Sequence, residues 1–332
     1  MATLSVLCAC GGGRPSLAAS GPATRDVYVC AFAYPSQPGT RLARIDMADD
    51  RTVSPLDTTV SEPAALAVER GGDLVVVGTG DDQLVVIDPA TGRVDRRIVV
   101  GLQPAAVAVA PGGSNAVVAD SGSGQLTEVD LRTGRVTRSV PVGSVPDAVA
   151  VGGPKSSLAV VADEGQGTVV VVRLHPMHPG PAIPVGSEPV AVAIAPGGET
   201  ALVANLGSDT VTPVNLLTSA AETPITLPVP PTGLAVSPLP APGTTSSTDP
   251  AGTAWVSGGE SLVPIDLATM TAGTPIAIGH PTEAVALSSG GRRAWVADQD
   301  ARVTSVDLVD QRVGPTLYVG GRPSAIVVDQ QA

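Results

Sequence analysis

Apolar residues in this chain recur as short runs in which small and branched side chains alternate. In residues 104–110, Ala106 and Ala108 alternate with Val107 and Val109, so one face of the predicted strand is small and the other is bulky. Turn-forming clusters such as Pro-Gly-Gly, Asp-Ser-Gly-Ser-Gly and Arg-Thr-Gly separate the runs. The segment 104–145 is therefore predicted to form a four-stranded meander with strands at Ala106–Ala110, Ala116–Ala119, Gln125–Asp130 and Val136–Val142.

The same phrase of about forty residues returns along the chain. Its starting positions are Pro63, Pro104, Pro146, Pro189, Pro231, Thr282 and Pro323, with spacings of 41, 42, 43, 42, 51 and 41 residues. A fixed period of this length with four β-rich runs per unit is typical of propeller blades. We therefore predict an all-β propeller of four-stranded antiparallel blades.

The ends of the chain predict how the ring closes. The unit at Pro323 contains a first strand alone, whereas residues 24–62 contain a second (Val27–Ala31), a third (Arg41–Met47) and a fourth (Val53–Thr59). Together they complete a seventh blade, in which the C-terminal strand is innermost. We predict one propeller domain over residues 24–332, preceded by residues 1–23, which we interpret as the remnant of a signal segment and a flexible tether.

The alternation in the first strand also predicts how the blades pack. Its small and bulky positions recur in nearly every unit, as in Ala148 and Ala150 against Val149 and Val151. Bulky side chains of one wedge can fill the space that small side chains leave on its neighbour near a crowded axis. We expect this strand to line the centre of the ring.

The repeats resemble those of a known family. The unit Pro189-VAVAIAPGGETALVANLGSDTVTPVN is similar to the YVTN β-propeller repeat, although Gly-Gly replaces the Asp-Gly turn and Val, Leu or Trp replaces the aromatic residue of the second strand. The resemblance covers residues 24–332. It implies a seven-bladed propeller of the kind found in surface-layer-like and YncE-like proteins, and it implies no single activity.

Composition narrows the choice of partners. The chain has 332 residues, a net charge of −12 and one lysine, Lys155. Because nucleic-acid affinity depends on Lys and Arg that neutralise phosphates, we expect no nucleic-acid partner. No cofactor is indicated.

Acidic residues repeat once per blade, and a repeated residue does not single out a catalytic centre. Asp46, Asp88, Asp130, Asp266 and Asp307 end the third strand, with Asn215 and Arg173 in the remaining units. Such side chains can accept amide hydrogen bonds from the following turn. We interpret this series, and the second-strand series of Asp120, Asp163, Asn205 and Asp298, as structural.

Charge is predicted to be uneven between the two faces of the disc. Loops that join second to third strands, and one blade to the next, carry Glu62 and the predicted partner-face residues, which are Asp81, Asp82, Asp120, Asp147, Asp163, Glu164, Glu188, Asp209, Glu260, Glu283, Asp298 and Asp300. Arg302 and Arg322 are the basic residues expected there, and most other arginines are expected on or near the opposite face. This face either keeps the protein soluble or binds a divalent cation, a small molecule or a basic protein surface.

Catalytic chemistry has little support in the sequence. No nucleophile elbow, zinc helix or phosphate loop is present, and His175 and His178 lie in a His-Pro-Met-His-Pro turn. We assign no catalytic residue. The best candidates for an enzyme of lactonase or lyase type are His280, Glu283 and Glu188, which we place at the mouth of the channel.

Two further segments bear on location and binding. Leu7-Cys8-Ala9-Cys10 resembles a bacterial lipobox, which predicts lipidation at Cys10 and an extracytoplasmic protein whose membrane contact is the lipid anchor; the alternative is an unprocessed N-terminal tail. Residues 238–252 form a Pro-, Ser- and Thr-rich insertion, either an idle loop tip or a binding element.

Three functions remain open: a binding or scaffold propeller, a channel-mouth enzyme, and a structural surface-layer component.

Overall fold

The structure, a computed structural model, describes residues 26–32, 41–46, 51–57, 60–69, 72–153, 157–237 and 252–328. The chain opens with β1 (Asp26–Phe32), β2 (Arg41–Asp46) and β3 (Arg51–Asp57), which belong to the last blade of the ring. Blades 1 to 3 contain β4 (Pro63–Val68), β5 (Leu74–Gly78), β6 (Gln83–Asp88), β7 (Arg93–Val99), β8 (Pro104–Val109), β9 (Asn115–Asp120), β10 (Gln125–Asp130), β11 (Arg135–Pro141), β12 (Pro146–Gly152), β13 (Leu158–Asp163), β14 (Thr168–Leu174) and β15 (Met177–Pro184).

The outermost strand is split in two in blades 4 and 5. Blade 4 contains β16 (Pro189–Ile194), β17 (Thr200–Asn205), β18 (Thr210–Asn215), β19 (Ala220–Ala221) and β20 (Ile225–Thr226), and blade 5 contains β21 (Pro231–Ser237), β22 (Thr253–Gly258), β23 (Ser261–Asp266), β24 (Thr271–Ala272) and β25 (Ile276–Ala277). Blade 6 contains β26 (Thr282–Leu287), β27 (Arg293–Asp298), β28 (Arg302–Asp307) and β29 (Arg312–Tyr318), and β30 (Arg322–Val328) follows. A short 3-10 turn at Leu206–Ser208 lies in blade 4.

Seven antiparallel sheets make up the ring, and the seventh joins the two ends of the chain. Its strand order is β3-β2-β1-β30, so the C-terminal strand is innermost beside the N-terminal three. This confirms the predicted seven-bladed all-β propeller and its mode of closure. Closure supplies the seventh sheet with its inner strand, so every blade has the same four-strand arrangement.

Each blade is a meander whose strand bounds differ slightly from the prediction. In blade 2 the third strand, Gln125–Asp130, is as predicted, but the first begins at Pro104 instead of Ala106. Pro104 pairs with Asp120, and a register shift follows before Ala106 pairs with Ala119. A β-bulge at Ala105 therefore extends the strand, and bulges are not visible in a simple alternation of side chains.

The blades interlock through the small and bulky faces of their inner strands. Ala148 and Ala150 of β12 share a buried cluster with Val192 and Ile194 of β16. The same pairing of small with bulky residues recurs around the ring: Ala65 and Ala67 with Val107 and Val109, Ala106 and Ala108 with Val149 and Val151, Ala191 and Ala193 with Leu234 and Val236, Ala235 with Val285 and Leu287, Ala284 and Ala286 with Ile326 and Val328, and Ala325 with Leu66. The predicted interlocking is confirmed. Burying each branched side chain contributes about 2 kcal/mol before entropy is subtracted.

No helix within the described residues is both long and apolar enough to cross a membrane.

Candidate functional site

Loops that enter each blade lie beside loops that join its second and third strands. Backbone amides connect them: Ser121 donates to the carbonyl of Gln103 at 3.0 Å, and Leu206 donates to that of Glu188 at 2.8 Å. We call this side the upper face, formed by residues 60–62, 79–82, 100–103, 121–124, 142–145, 164–167, 185–188, 206–209, 227–230, 259–260, 278–281, 299–301 and 319–322. The lower face is the opposite side, where first strands turn into second and third into fourth.

Asp163, at the end of β13, lies beneath the upper face. Its side chain is fully buried and accepts hydrogen bonds from the amides of Ser144 at 2.9 Å and Val145 at 2.8 Å. Both amides belong to the loop that enters the same blade. Since a buried amide without a partner costs about 1–3 kcal/mol, this carboxylate fixes the loop in place.

Asp120 occupies the same position in blade 2 with fewer partners. Its Oδ2 accepts a hydrogen bond from the hydroxyl of Thr127 at 2.6 Å, while its Oδ1 is buried and has no partner among the described residues. Burial raises the pKa of this carboxyl to about 6, against the opposing effect of hydrogen bonds from Thr127 and the Gly101 amide. Asp120 therefore titrates far above an ordinary aspartate.

The remaining members of the second-strand series are buried as well. Asp298 accepts hydrogen bonds from the amides of Asp300 at 2.8 Å and Arg302 at 3.0 Å, so it shapes the loop of its own blade. Asn205 donates to the hydroxyl of Thr212 at 2.9 Å. Asp120, Asp163 and Asp298 thus lie beneath the upper face and do not contribute exposed charge to it.

A ring of bulged residues surrounds the upper end of the channel. The register of every inner strand shifts at the residue that follows the first position of the repeat. We call these seven residues the mouth ring: Ala64, Ala105, Asp147, Val190, Thr232, Glu283 and Ser324. Bulges of this kind redirect side chains at the rims of closed sheets. Asp147 and Glu283, both predicted to lie on the partner face, are 5% and 6% exposed.

Three mouth-ring side chains reach from their own blade to the next. Thr232 donates a hydrogen bond to the carbonyl of Thr282 at 3.1 Å, and Ser324 donates to the carbonyl of Pro63 at 2.6 Å. Glu283 forms an ion pair with Arg322 of the closing strand. The last two contacts fix β30 on both sides. Sequence reasoning missed Ser324, although its position directly after the Pro of the repeat was the available signal.

The candidate catalytic group is not assembled. Arg302 Nη1 lies 3.1 Å from both ring nitrogens of His280, and Glu283 is paired with Arg322. Glu188 is exposed and lies two blade junctions away from His280 along the ring, and no hydrogen bond or ion pair among the described residues joins it to either partner. The three side chains therefore do not form an acid–base pair.

The exposed negative charge of the upper face comes from a smaller set than the sequence suggested. Asp82 accepts a hydrogen bond from the amide of Gln103 at 2.7 Å, and Asp81 accepts one from Ser61 at 3.1 Å. Glu62 contacts the hydroxyl of Thr79 at 3.3 Å. The other exposed or half-exposed carboxylates are Glu164, Glu188, Asp209, Glu260 and Asp300. Among the described upper-face loops, Arg322 and the adjacent Arg302 are the basic residues, and they already face Glu283 and His280, so negative charge dominates these loops.

On the lower face, the third-strand acids hold turns. Asp88 accepts hydrogen bonds from the Thr91 hydroxyl at 2.7 Å and the Ala90 amide at 2.8 Å, which lower its pKa. Asp266 and Asp307 accept amides of their turns in the same way, and Asn215 does so in blade 4. Asp130 also accepts an amide hydrogen bond, from Thr133 at 2.9 Å, which lowers its pKa. The residues that follow Asp46 lie outside the described ranges.

Other candidates contribute no assembled site. Among the described residues, no three His, Cys, Asp or Glu side chains are grouped as metal ligands would be. His175 and His178 are exposed, at the turn into β15 and on that strand. Cys10 and residues 238–251 of the insertion lie outside the described residues.

Known structures share the architecture of this chain. It resembles a functionally unknown protein from Desulfotomaculum acetoxidans with a TM-score of 0.78 and 12% identity, covering 93% of this chain and 100% of that one. Hydrazine synthase of Kuenenia stuttgartiensis aligns with a TM-score of 0.64 and 17% identity over 81% of this chain and 90% of that chain. Dihydro-heme d1 dehydrogenase NirN, solved in complex with DHE, aligns with a TM-score of 0.61 and 15% identity over 95% of this chain and 77% of that chain.

At these identities the comparisons show the fold alone. No protein-family model matches the sequence, and no curated protein matches it. The likeness to YVTN repeats therefore remains a resemblance in sequence pattern, and the seven-bladed architecture is what the solved structures share with this chain.

Proposed function

We propose that this protein is an extracytoplasmic binding propeller whose upper face engages a basic protein surface. The observation that carries the proposal is that some acids of this face are buried and others are exposed. Asp163, Asp120 and Asp298 are buried beneath the face, whereas Glu188, Asp209 and Glu260 are exposed in neighbouring loops and accept no side-chain hydrogen bond from the described residues. A rigid ring that presents such charges in fixed loops attracts a complementary surface and speeds encounter with it.

The backbone of these loops supports the same proposal. Glu188 and Asp209 have φ values of 50° and 53°, a region that non-glycine residues enter at a cost. The carbonyl of Glu188 accepts the Leu206 amide and the carbonyl of Asp209 accepts the Leu227 amide, so the loops are held in this conformation. The carboxylates are thereby preorganised, which reduces the entropy lost when a partner binds.

A basic surface is a better partner than a metal ion for this arrangement. The exposed acids are spread over several blades, and no metal-like cluster occurs among the described residues. We place the protein outside the cytoplasmic membrane, anchored through Cys10, on the strength of the lipobox-like segment. Mass spectrometry of the native N-terminus tests the anchor: lipidated Cys10 is expected, and an intact Met1 would remove it.

The proposed binding function is tested by measuring the affinity of nona-lysine for two variants, each of which removes three negative charges. The upper-face variant carries Glu188→Gln, Asp209→Asn and Glu260→Gln. Its control carries Glu199→Gln, Glu222→Gln and Asp310→Asn, which are also exposed and lie on the lower face or outer edge. At about 0.5 kcal/mol per exposed charge pair, we expect about tenfold weaker binding for the upper-face variant and little change for its control.

Equal loss in both variants would show attraction to net charge alone, and no loss in either would refute the upper face as the site. The alternative of a channel-mouth enzyme is not supported, because Glu188 and His280 lie on different blades. Turnover of a lactone that is abolished by His280→Ala would restore it.

A further inference from the structure

The loop that joins blade 1 to blade 2, residues 100–103, lies between acids of both blades. The amide of Gln103 donates a hydrogen bond to Asp82 Oδ1 of blade 1 at 2.7 Å. On the other side, Gly101 lies against Asp120 of blade 2, since a Cβ added to Gly101 would be 2.5 Å from the carboxyl carbon of Asp120. Asp82 is half-buried and Asp120 is fully buried, so the two carboxyl groups differ in their access to water.

The junction of blades 2 and 3 shows which residues are equivalent. The amide of Val100 donates to the carbonyl of Asp82 at 3.0 Å, and the amide of Val142 donates to the carbonyl of Gly124 at the same distance. Both acceptor residues have positive φ, 51° for Asp82 and 66° for Gly124. Gly124 therefore occupies the position of Asp82 and offers no side chain to the next blade.

Without that side chain, the equivalent loop amide bonds to its own blade. Val145 occupies the position of Gln103, directly before the Pro that opens the inner strand, and its amide donates to Asp163 Oδ1 at 2.8 Å. Asp163 in turn occupies the position of Asp120, at the end of the second strand. The Gln103 amide thus has two possible acceptors, Asp82 and Asp120, and Asp82 holds it.

Asp120 lacks donors as a result. Its Oδ2 accepts a hydrogen bond from the Thr127 hydroxyl at 2.6 Å, and its Oδ1 has no partner within the described ranges. An ionised carboxylate has two acceptor oxygens, and burying one without donors is unfavourable because water does not reach it. Burial, opposed by hydrogen bonds from Thr127 and the Gly101 amide, accordingly raises the pKa of Asp120 to about 6.

Few other charged groups surround Asp120. Asp82 faces it from the loop of blade 1, and the charge of Asp82 adds to the rise of its pKa. The inner strand β8 and the two upper-face loops of blade 2 contain no titratable residue. On β10, Glu128 and Asp130 make their hydrogen bonds toward the lower face, and on β12, which packs against β9, Asp147 belongs to the mouth ring. Burial and Asp82 therefore govern the ionisation of Asp120.

We propose that the junction of blades 1 and 2 is a pH-sensitive switch, in which ionisation of Asp120 transfers the Gln103 amide from Asp82 to Asp120. At low pH Asp120 is neutral and Asp82 keeps the amide. At higher pH the buried carboxylate gains more from the amide than Asp82 loses, because Asp82 is half-exposed and water replaces the donor there. The junction then has the hydrogen bonds that blades 2 and 3 share.

The transfer changes what the upper face offers to a partner. Asp82 is released from the loop, so its carboxylate adds to the free acids of this face as pH rises. The proton that leaves Asp120 has a route to solvent: the hydroxyls of Thr127 and Ser139 lie 2.9 Å apart, and Ser139 is exposed on the outer strand.

The test compares two substitutions of Asp82 that remove the same charge. Asp82→Asn keeps a side-chain oxygen for the Gln103 amide, whereas Asp82→Gly removes it and installs the residue that blade 2 has at Gly124. The titration of Asp120 is followed by the NMR shift of its ¹³Cγ in protein labelled at aspartate. Its midpoint should be lower in Asp82→Gly than in Asp82→Asn by about 1 pH unit, since the glycine variant leaves the amide to Asp120 at every pH.

Equal midpoints in the two variants would mean that Asp82 acts on Asp120 through charge alone, and they would overturn the switch. A measurement on the wild-type protein decides the question if Asp82→Gly does not fold, as judged by circular dichroism. The amide resonance of Gln103 should shift through the midpoint of Asp120, and that of Val100, whose acceptor stays the same, should shift much less. Equal shifts of both amides would refute the transfer. The switch does not depend on the binding function proposed above, because both titrations are made without a ligand.

Discussion

Replacing Asp120 by Asn should change how the stability of this protein depends on pH. Asp120 is fully buried, and its Oδ1 has no hydrogen-bond partner in the described part of the chain. Burial raises its pKa from 3.8 to about 6. Between these two values the folded protein holds a proton that the unfolded chain has lost. The stability due to this proton is complete below pH 3.8 and is lost as pH rises through about 6.

The magnitude follows from the size of the shift. At 1.36 kcal/mol per pH unit, a rise from 3.8 to about 6 corresponds to about 3 kcal/mol. The assay is urea unfolding of wild type and Asp120→Asn at several pH values from 3.5 to 8. The free energy of unfolding of wild type minus that of the variant should fall by about 3 kcal/mol across this range.

Any loss of the Thr127 hydrogen bond in Asp120→Asn changes the difference in unfolding free energy by the same amount at every pH. The change of that difference with pH is therefore the diagnostic quantity. Parallel pH dependences of the two proteins would refute the reasoning, because they would mean that Asp120 titrates alike in the folded and unfolded chains. Asp88→Asn is the control, because the pH dependence of its effect on stability should have the opposite sign. Hydrogen bonds from Thr91 and Ala90 lower the pKa of Asp88, so its contribution is present above pH 3.8 and is lost as pH falls through the folded value.

Further predictions concern the loops and the closure of the ring. Gly124→Ala should destabilise the protein by about 2 kcal/mol or more in thermal unfolding, because φ is 66° and an added Cβ would lie 2.5 Å from the carbonyl oxygen of Gly143. Gly197→Ala, with φ of 93° and open space around the added Cβ, should cost about 1 kcal/mol in the same assay. Arg322→Ala leaves Glu283 nearly buried without its ion pair and should cost about 2 kcal/mol, with faster amide hydrogen exchange in β30. Ser324→Ala, which loses the hydrogen bond to Pro63, should cost about 1 kcal/mol and speed exchange in the same strand; unchanged exchange in both variants would mean that these contacts do not hold the closing strand.

Much of the fold was predictable because its causes are local and repeated. Alternation of Ala and Val in the first strand predicted both its central position and the interlocking of blades, since strand periodicity and packing volume act at the same residues. The fragments at the two ends predicted the closing blade because each lacked the strands that the other supplied.

The candidate site was less predictable, because burial decides which acids are available and burial is a property of the assembled ring. Asp163 and Glu188 were both predicted to lie on the partner face, but Asp163 is enclosed beneath the loop it holds and Glu188 is exposed. The bulges that aim Glu283 and Ser324 toward the next blade depend on a register shift that strict alternation does not reveal. The pairing of Glu283 with Arg322 likewise depends on the closure of the ring.

Mapping of a bound basic peptide by amide hydrogen exchange tests the proposed binding function most directly. With nona-lysine in excess at low salt, protection should increase in residues 185–188, 206–209 and 259–260, the upper-face loops that carry the exposed carboxylates. The turns of the lower face should exchange as they do without the peptide. Protection spread equally over both faces, or confined to the lower face, would contradict the account.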